Sequence, residues 1–246
     1  ALLLRRLDDP VPLRRLGGRH RLHGEVFEPL AGGGVGGRQG RAVAAGLAVG
    51  MVGMRLAMTR IGFGARPARL LPGMIGAAAL GSGLLATGYR RGLVRPNELA
   101  AWTQHLTRLN RRATEVLSAF PVSAATDVTG FGLLGHLLEM CEGSDVQAEL
   151  DFAAIPVLEP VPDYIAQGCV PGGTQRNFDS YGHKAVSLDD YQKALLCDPQ
   201  TSGGLLIAVE AKGIMALETI LRDAGIEPHC IGELLPRTNG AWVYLR

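Results

Sequence analysis

Asp127 stands in the run Ala125-Thr126-Asp127-Val128-Thr129-Gly130-Phe131-Gly132, just ahead of an apolar stretch with helical spacing. A carboxylate set among hydroxyls and glycine backbone suits a hard cation such as Mg2+, which keeps waters and takes one or two protein carboxylates beside phosphate oxygens. The same carboxylate suits the cap of the following helix, where it would accept backbone N–H groups, and spacing alone does not separate the two. A second run, Pro171-Gly172-Gly173-Thr174-Gln175-Arg176-Asn177, has two glycines for tight turns and three side chains, Thr174, Arg176 and Asn177, able to donate to an anion. Taken alone, an ordinary surface loop explains it as well. The third run, Asp198-Pro199-Gln200-Thr201-Ser202-Gly203-Gly204, is a polar turn leading straight into Leu205–Val209. It either delivers side chains to a site at a strand end or is simply a turn.

The elements that would hold these runs follow from periodicity. Asn97 reads as a cap, and Leu99, Trp102, Leu106, Leu109, Ala113 and Val116 recur at helical spacing after it. Residues 133–140 form an apolar helix after the glycine turn; on it, His136 reads as a packing residue rather than a ligand. Val146, Ala148, Leu150 and Phe152 alternate with polar residues, as in a half-buried strand. A short helix around Asp163–Gly168 leads to a long polar loop, Pro171–His183. Residues 189–196 are helical, Leu205–Val209 is a buried strand, Gly213–Ala224 is a helix, and Ile231 and Trp242–Leu245 mark closing strands. Helices and strands mix without strict alternation, so the class is α+β.

Before residue 80 the text changes. Most of the glycines crowd into residues 17–88, and Arg5, Arg6, Arg14, Arg15, Arg19 and Arg21 cluster with few acids. The chain as a whole carries 25 basic and 23 acidic residues, a formal charge of +2, which sets up no global field toward nucleic acid or a membrane surface. The basic segment also lacks the interleaved aromatics of a nucleic-acid platform. Residues 42–58 are apolar, but Gly46, Gly50 and Gly53 make them short and weak for a membrane span. No signal peptide is visible. Cys141, Cys169, Cys197 and Cys230 contain no CxxC pair, and they read as reduced thiols of a cytoplasmic protein.

Together, residues 125–140, 171–183 and 196–209 are similar, in order and separation, to the C-terminal domain of the selenophosphate synthetases (selenide, water dikinases). Leu80-Gly81-Ser82-Gly83, Arg90-Arg91-Gly92 and Ile231-Gly232-Glu233-Leu234 extend the match over roughly residues 80–246. The resemblance implies a two-domain α+β fold shared with aminoimidazole ribonucleotide synthetase, usually dimeric. It implies conversion of ATP, selenide and water to selenophosphate, AMP and phosphate, with Mg2+ held by several aspartates. On this chain it assigns metal ligation to Asp127 and Asp9, places Asp8 and Glu25 at ATP, and makes the Thr174, Arg176 and Asn177 segment a phosphate or active-site loop. It also divides the chain into 1–63, a remnant of the ATP-binding domain, and 64–246, the C-terminal domain.

The N-terminal part departs from the family pattern. Gly50 stands where the family's helix supplies a metal-binding aspartate. The reactive Cys or selenocysteine loop with its Lys would lie upstream of Ala1. The Gly-Gly-His segment is missing between Phe63 and Gly64, and Ala77-Ala78-Ala79 replaces a Thr-Lys pair. The expectation is a family member impaired in catalysis, or a non-catalytic relic able to fold and to associate with an intact copy. A related purine or thiamine enzyme is disfavoured by the second and third runs.

Overall fold

Leu205–Val209 is an unbroken apolar run, and an extended segment hides such a run only when both faces are covered. The computed structural model, which describes residues 72–76 and 79–246, places it inside a mixed sheet. In chain order, the described residues form β1 (Pro72–Gly76), α1 (Ser82–Arg90), α2 (Pro96–Thr107), α3 (Arg111–Ala119), β2 (Ala124–Asp127), α4 (Gly132–Ser144) and β3 (Val146–Leu150). They continue with α5 (Val161–Ala166), α6 (Gly172–Tyr181), α7 (Asp190–Leu196), β4 (Leu205–Glu210), α8 (Ile214–Asp223), β5 (His229–Pro236) and β6 (Val243–Leu245). The strand order is β2-β4-β1-β5-β3-β6. Every pairing is antiparallel except β3 with β6.

Alternate residues of β4 serve two cores. Leu206 and Ala208 face a large cluster built with α1, α2, α4, α5 and α7, centred on Leu84, Leu134, Leu137, Leu195 and Leu196. Leu205, Ile207 and Val209 face a smaller cluster with Ala113 and Leu117 of α3 and Leu217 and Leu221 of α8. This period-two division of one strand between two helical layers explains its uniform burial. The α+β class expected from the sequence is the one observed.

Three local expectations are corrected. The helix begun at Pro96 does not run to Val116: it stops at Thr107, and α3 starts at Arg111. The break lets Trp102 and Leu106 face the large cluster while Ala113 and Leu117 turn to the smaller one, and Leu109 is left exposed between them. Asn97 is not the cap. Arg95 holds that position, Pro96 is first in the helix, and the Glu98 carboxylate returns to accept the Arg95 N–H at 2.9 Å. Glu98 also pairs with the Arg95 guanidinium and accepts the Tyr164 hydroxyl at 2.6 Å. Those contacts, the Arg95 bond foremost, hold its carboxyl down at about 2.

Residues 171–183 are not a loop. They form α6 and a following turn of 3-10 helix, Gly182–Lys184. Thr174, Phe178 and Tyr181 lie on one side at helical spacing. Tyr181 is buried against α4, where a Cβ on Gly135 would lie 3.0 Å from its ring. Packing of that face overrides a composition of Gly, Asn, Asp and Ser that reads as loop.

Leu134 lies fully buried in the large cluster, so Leu134→Ala should cost about 2–5 kcal/mol. Urea unfolding of the two proteins measures it, as a lowered midpoint.

Candidate functional site

The three chemically suggestive runs meet at one end of β2 and β4. Asp127 is the last residue of β2 and lies opposite Leu205. Beyond it the backbone turns away while staying bound to the run that precedes β4. Val128 N–H donates to the Gly204 carbonyl at 2.9 Å, Gly203 N–H to the Val128 carbonyl at 3.2 Å, and Gln200 N–H to the Thr129 carbonyl at 3.0 Å. The approach needs glycine, because a Cβ on Gly203 would lie 2.6 Å from the Val128 carbonyl oxygen. Gly132, with φ +68, is likewise pressed against the Leu196 carbonyl, 2.6 Å from its would-be Cβ. The α6 run joins through Asn177, whose amide donates to the carbonyls of Gly130 at 2.9 Å and Cys197 at 3.0 Å.

The helix-cap alternative for Asp127 is overturned. The cap position of α4 is Phe131, and no side chain caps that helix. Asp127 is partly exposed, and its carboxylate makes no hydrogen bond or ion pair among the described residues. His136 is nearly fully buried, with Nε2 3.1 Å from the Thr129 hydroxyl and Nδ1 3.8 Å from the Glu139 carboxylate. Burial pushes its pKa down, against the opposing pull of Asp127 and Glu139, which leaves a neutral ring steadying the turn after Asp127.

The α6 residues divide. Thr174 is fully buried, Asn177 is committed to two carbonyls, and Arg176 is exposed with its guanidinium beside Gly172 and Gly173. Arg176 is therefore the only charged residue of the three and the one that is exposed. Asp8, Asp9, Glu25 and Gly50 lie outside the described residues. Among the described residues no three His, Cys, Asp or Glu side chains come close enough to hold a metal ion, so Asp127 alone would need ligands from elsewhere. All four cysteines are free, and burial raises the Cys141 and Cys197 thiols to about 12 and about 11, so these two stay protonated at neutral pH. No helix of the described residues is long and apolar enough to cross a membrane.

Asp198 and Gln200 have a function that sequence reasoning did not assign. The start of α1, Gly81-Ser82-Gly83, has the look of a phosphate cradle, a glycine-rich turn at a helix N-terminus. It is already filled. Gln200 Oε1 accepts from Gly81 N–H at 3.1 Å, Ser82 N–H at 3.2 Å and the Ser82 hydroxyl at 3.1 Å. Asp198 Oδ2 accepts from Gly83 N–H and from the Gln200 amide, both at 2.9 Å. The Ser82 oxygen in turn accepts from Thr201 N–H at 2.7 Å. Both side chains are buried, and buried polar groups are held by hydrogen bonds, but the local sequence, a polar turn ahead of the strand, carries no mark of that burial.

Residues 80–244 match the family described as AIR synthase related protein, C-terminal domain, and the chain belongs to that family. Within it, the chain is similar to the selenide, water dikinase of Haemophilus influenzae, 50% identical over 160 residues, which are 65% of this chain and 46% of that protein. It is likewise 50% identical over 161 residues to the selenide, water dikinase of Photorhabdus laumondii, covering 65% of this chain and 46% of that one. The chain thus spans about half the length of the curated relatives it matches. A crystal structure of thiamine-monophosphate kinase from Stenotrophomonas maltophilia overlaps with a TM-score of 0.49 at 20% identity, over 72% of this chain and 51% of that one, a likeness too slight to argue from.

Burial pushes the Asp198 carboxyl up to about 7, outweighing the N–H groups of Leu84 and Gly83 and the Gln200 amide, which act in the other direction. A carboxyl raised in the folded state keeps its proton when the unfolded chain has lost it, so stability falls as pH rises from about 4 to about 7. Asp198→Asn, which keeps an acceptor for Gly83, should remove that slope and be more stable than the wild type at pH 8. Urea midpoints at pH 5 and pH 8 for both proteins check this.

Proposed function

We propose that this chain is the C-terminal portion, with an altered N-terminal segment, of a selenide, water dikinase, a phosphotransferase that uses ATP to make selenophosphate from selenide with release of AMP and phosphate. The observation that carries the reading is the convergence of the three runs on the turn that follows Asp127, whose carboxylate is uncommitted among the described residues, in a chain half identical to enzymes of that name. Asp127 suits Mg2+, being a hard oxygen donor held at a strand end with no competing partner among the described residues. Bound there, Mg2+ would neutralise triphosphate charge, the main requirement of phosphoryl transfer.

Asp9 would supply a second metal-binding carboxylate, with Asp8 and Glu25 at ATP. Arg176 offers charge to a phosphate, while Thr174 and Asn177 hold α6 in place. Residues 1–63 form a remnant of the ATP-binding domain and residues 64–246 the C-terminal domain. The protein works in the cytoplasm, as a homodimer, with ATP and selenide as its small-molecule partners and no nucleic acid or membrane. Catalysis by this chain is impaired, because Gly50 replaces one carboxylate of the set. A second reading has an observation of its own. The described residues bring one uncommitted carboxylate to the site and no metal-holding group, which favours a non-catalytic relic that folds and pairs with an intact copy.

AMP release from ATP, Mg2+ and selenide, against a control without selenide, separates these readings. Selenide-dependent AMP establishes the dikinase; none from a folded chain leaves the relic. Asp127→Ala should weaken Mg2+-dependent ATP binding at least tenfold, consistent with the several kcal/mol a metal contributes, and leave the melting temperature within about 2 °C. Calorimetric titration and thermal melts read the two effects separately.

A further inference from the structure

The turn between α7 and β4 holds more elements together than a connection requires. Its backbone is bound to the Asp127 turn through Gln200, Gly203 and Gly204. The Ser202 hydroxyl donates to the Leu106 carbonyl of α2 at 3.0 Å, from a residue with φ 57. A non-glycine residue in that region costs about 1–2 kcal/mol, so contacts elsewhere must hold it there. Pro199 packs on the start of α6, where a Cβ on Gly173 would lie 2.7 Å from the ring.

Within this turn Gln200 spans two elements at once. Its backbone N–H grips Thr129, two residues beyond Asp127, while its buried side-chain oxygen receives three donors from the start of α1. Its amide nitrogen is itself held by the Asp198 carboxylate and the Asp198 carbonyl. The amide therefore has little freedom to rotate, and a shift of α1 relative to the Asp127 turn breaks several buried bonds together.

We propose that Gln200 is a positioning residue that fixes the start of α1 and the Asp127-bearing turn to one another, so that the two move as one unit. Its functional meaning rests on the reading of Asp127 as a metal-binding carboxylate. The coupling itself rests on the hydrogen bonds alone. In that role Gln200 touches no ligand; it sets where α1 begins relative to the Asp127 turn.

The test is Gln200→Met in the full chain, which keeps the volume of the side chain and removes its hydrogen bonds. Amide hydrogen exchange should quicken by about tenfold, the loss expected for one buried acceptor, at Gly81–Gly83 and also at Val128, Gly132 and Gly203. The 15N–1H resonances of Val128, Thr129 and Gly130 should shift with it. Leu217→Ala, a destabilising change in the smaller cluster, should leave those resonances in place. Should Gln200→Met fail to fold, Ser82→Ala removes one donor and one acceptor of the same network and should give the same pattern at smaller amplitude. Exchange that quickens only at Gly81–Gly83, with Val128–Gly130 unmoved, overturns the coupling. Where the wild type binds Mg2+–ATP, Gln200→Met should weaken that binding several-fold and Leu217→Ala should not; an unchanged Kd in Gln200→Met overturns the positioning role. Failure of the wild type to bind Mg2+–ATP counts against the dikinase reading alone, and exchange and resonance shifts still decide the coupling.

Discussion

A helix begins with backbone N–H groups that have no partner within the helix, and α1 begins with residues poorly equipped to supply one. Gly81, in the left-handed region at φ 117, precedes it, and no side chain of its own turn caps it. The acceptors come from more than a hundred residues later, as Gln200 and Asp198. Much of the rest depends on that contact, because it joins α1 to the turn entering β4, and β4 separates the two cores. The contact is costly. Raising a carboxyl from 3.8 to about 7 corresponds to about 4 kcal/mol against the ionised form at neutral pH. Leaving several buried N–H groups unpaired would cost about 1–3 kcal/mol each, which is comparable. Gln200, taking three of the donors with a neutral amide, carries no such charge penalty.

This arrangement also changes how the glycines near residue 80 are understood. A glycine-rich turn at a helix start is commonly where a phosphate sits. Here a carboxylate and an amide occupy the donors, and Gly83 has its Asp198 neighbour 2.5 Å from a would-be Cβ, so the glycine makes room for protein rather than for a ligand. Gly132 and Gly203 act in the same way toward carbonyl groups of neighbouring segments. Gly83, Gly132 and Gly203 therefore allow neighbouring segments to approach closely, and that packing leaves the Asp127 carboxylate uncommitted among the described residues.

The two cores follow from the same geometry. A strand whose odd residues face α3 and α8 and whose even residues face α1, α4 and α7 cannot slip by one residue without exchanging its two faces. Asp127, paired with Leu205 at the first residue of that strand, inherits its position. The side chain of His136 and the amide of Asn177 then steady the turn beyond it.

Much of this was legible in the amino-acid order. The apolar run at 205–209, the helical spacing after Gly132 and the alternation at 146–152 are local patterns with a burial reason, and each became the expected element, except that the strand from Val146 ends at Leu150 and Phe152 opens a turn of 3-10 helix. The three suggestive runs were likewise visible as residue types, and residue type determined that Asp127 suits a hard cation. Tertiary structure decided the rest. It broke the helix after Thr107 so that its halves could serve opposite cores, and it made a helix of residues 172–181 by burying Thr174 and Tyr181 against neighbours. It also decided between capping and freedom for Asp127, and it found for Asp198 and Gln200 partners that are remote in sequence. Periodicity records which side of an element is buried, whereas the partner of a buried polar group depends on which segments fold against it, and no local pattern carries that information.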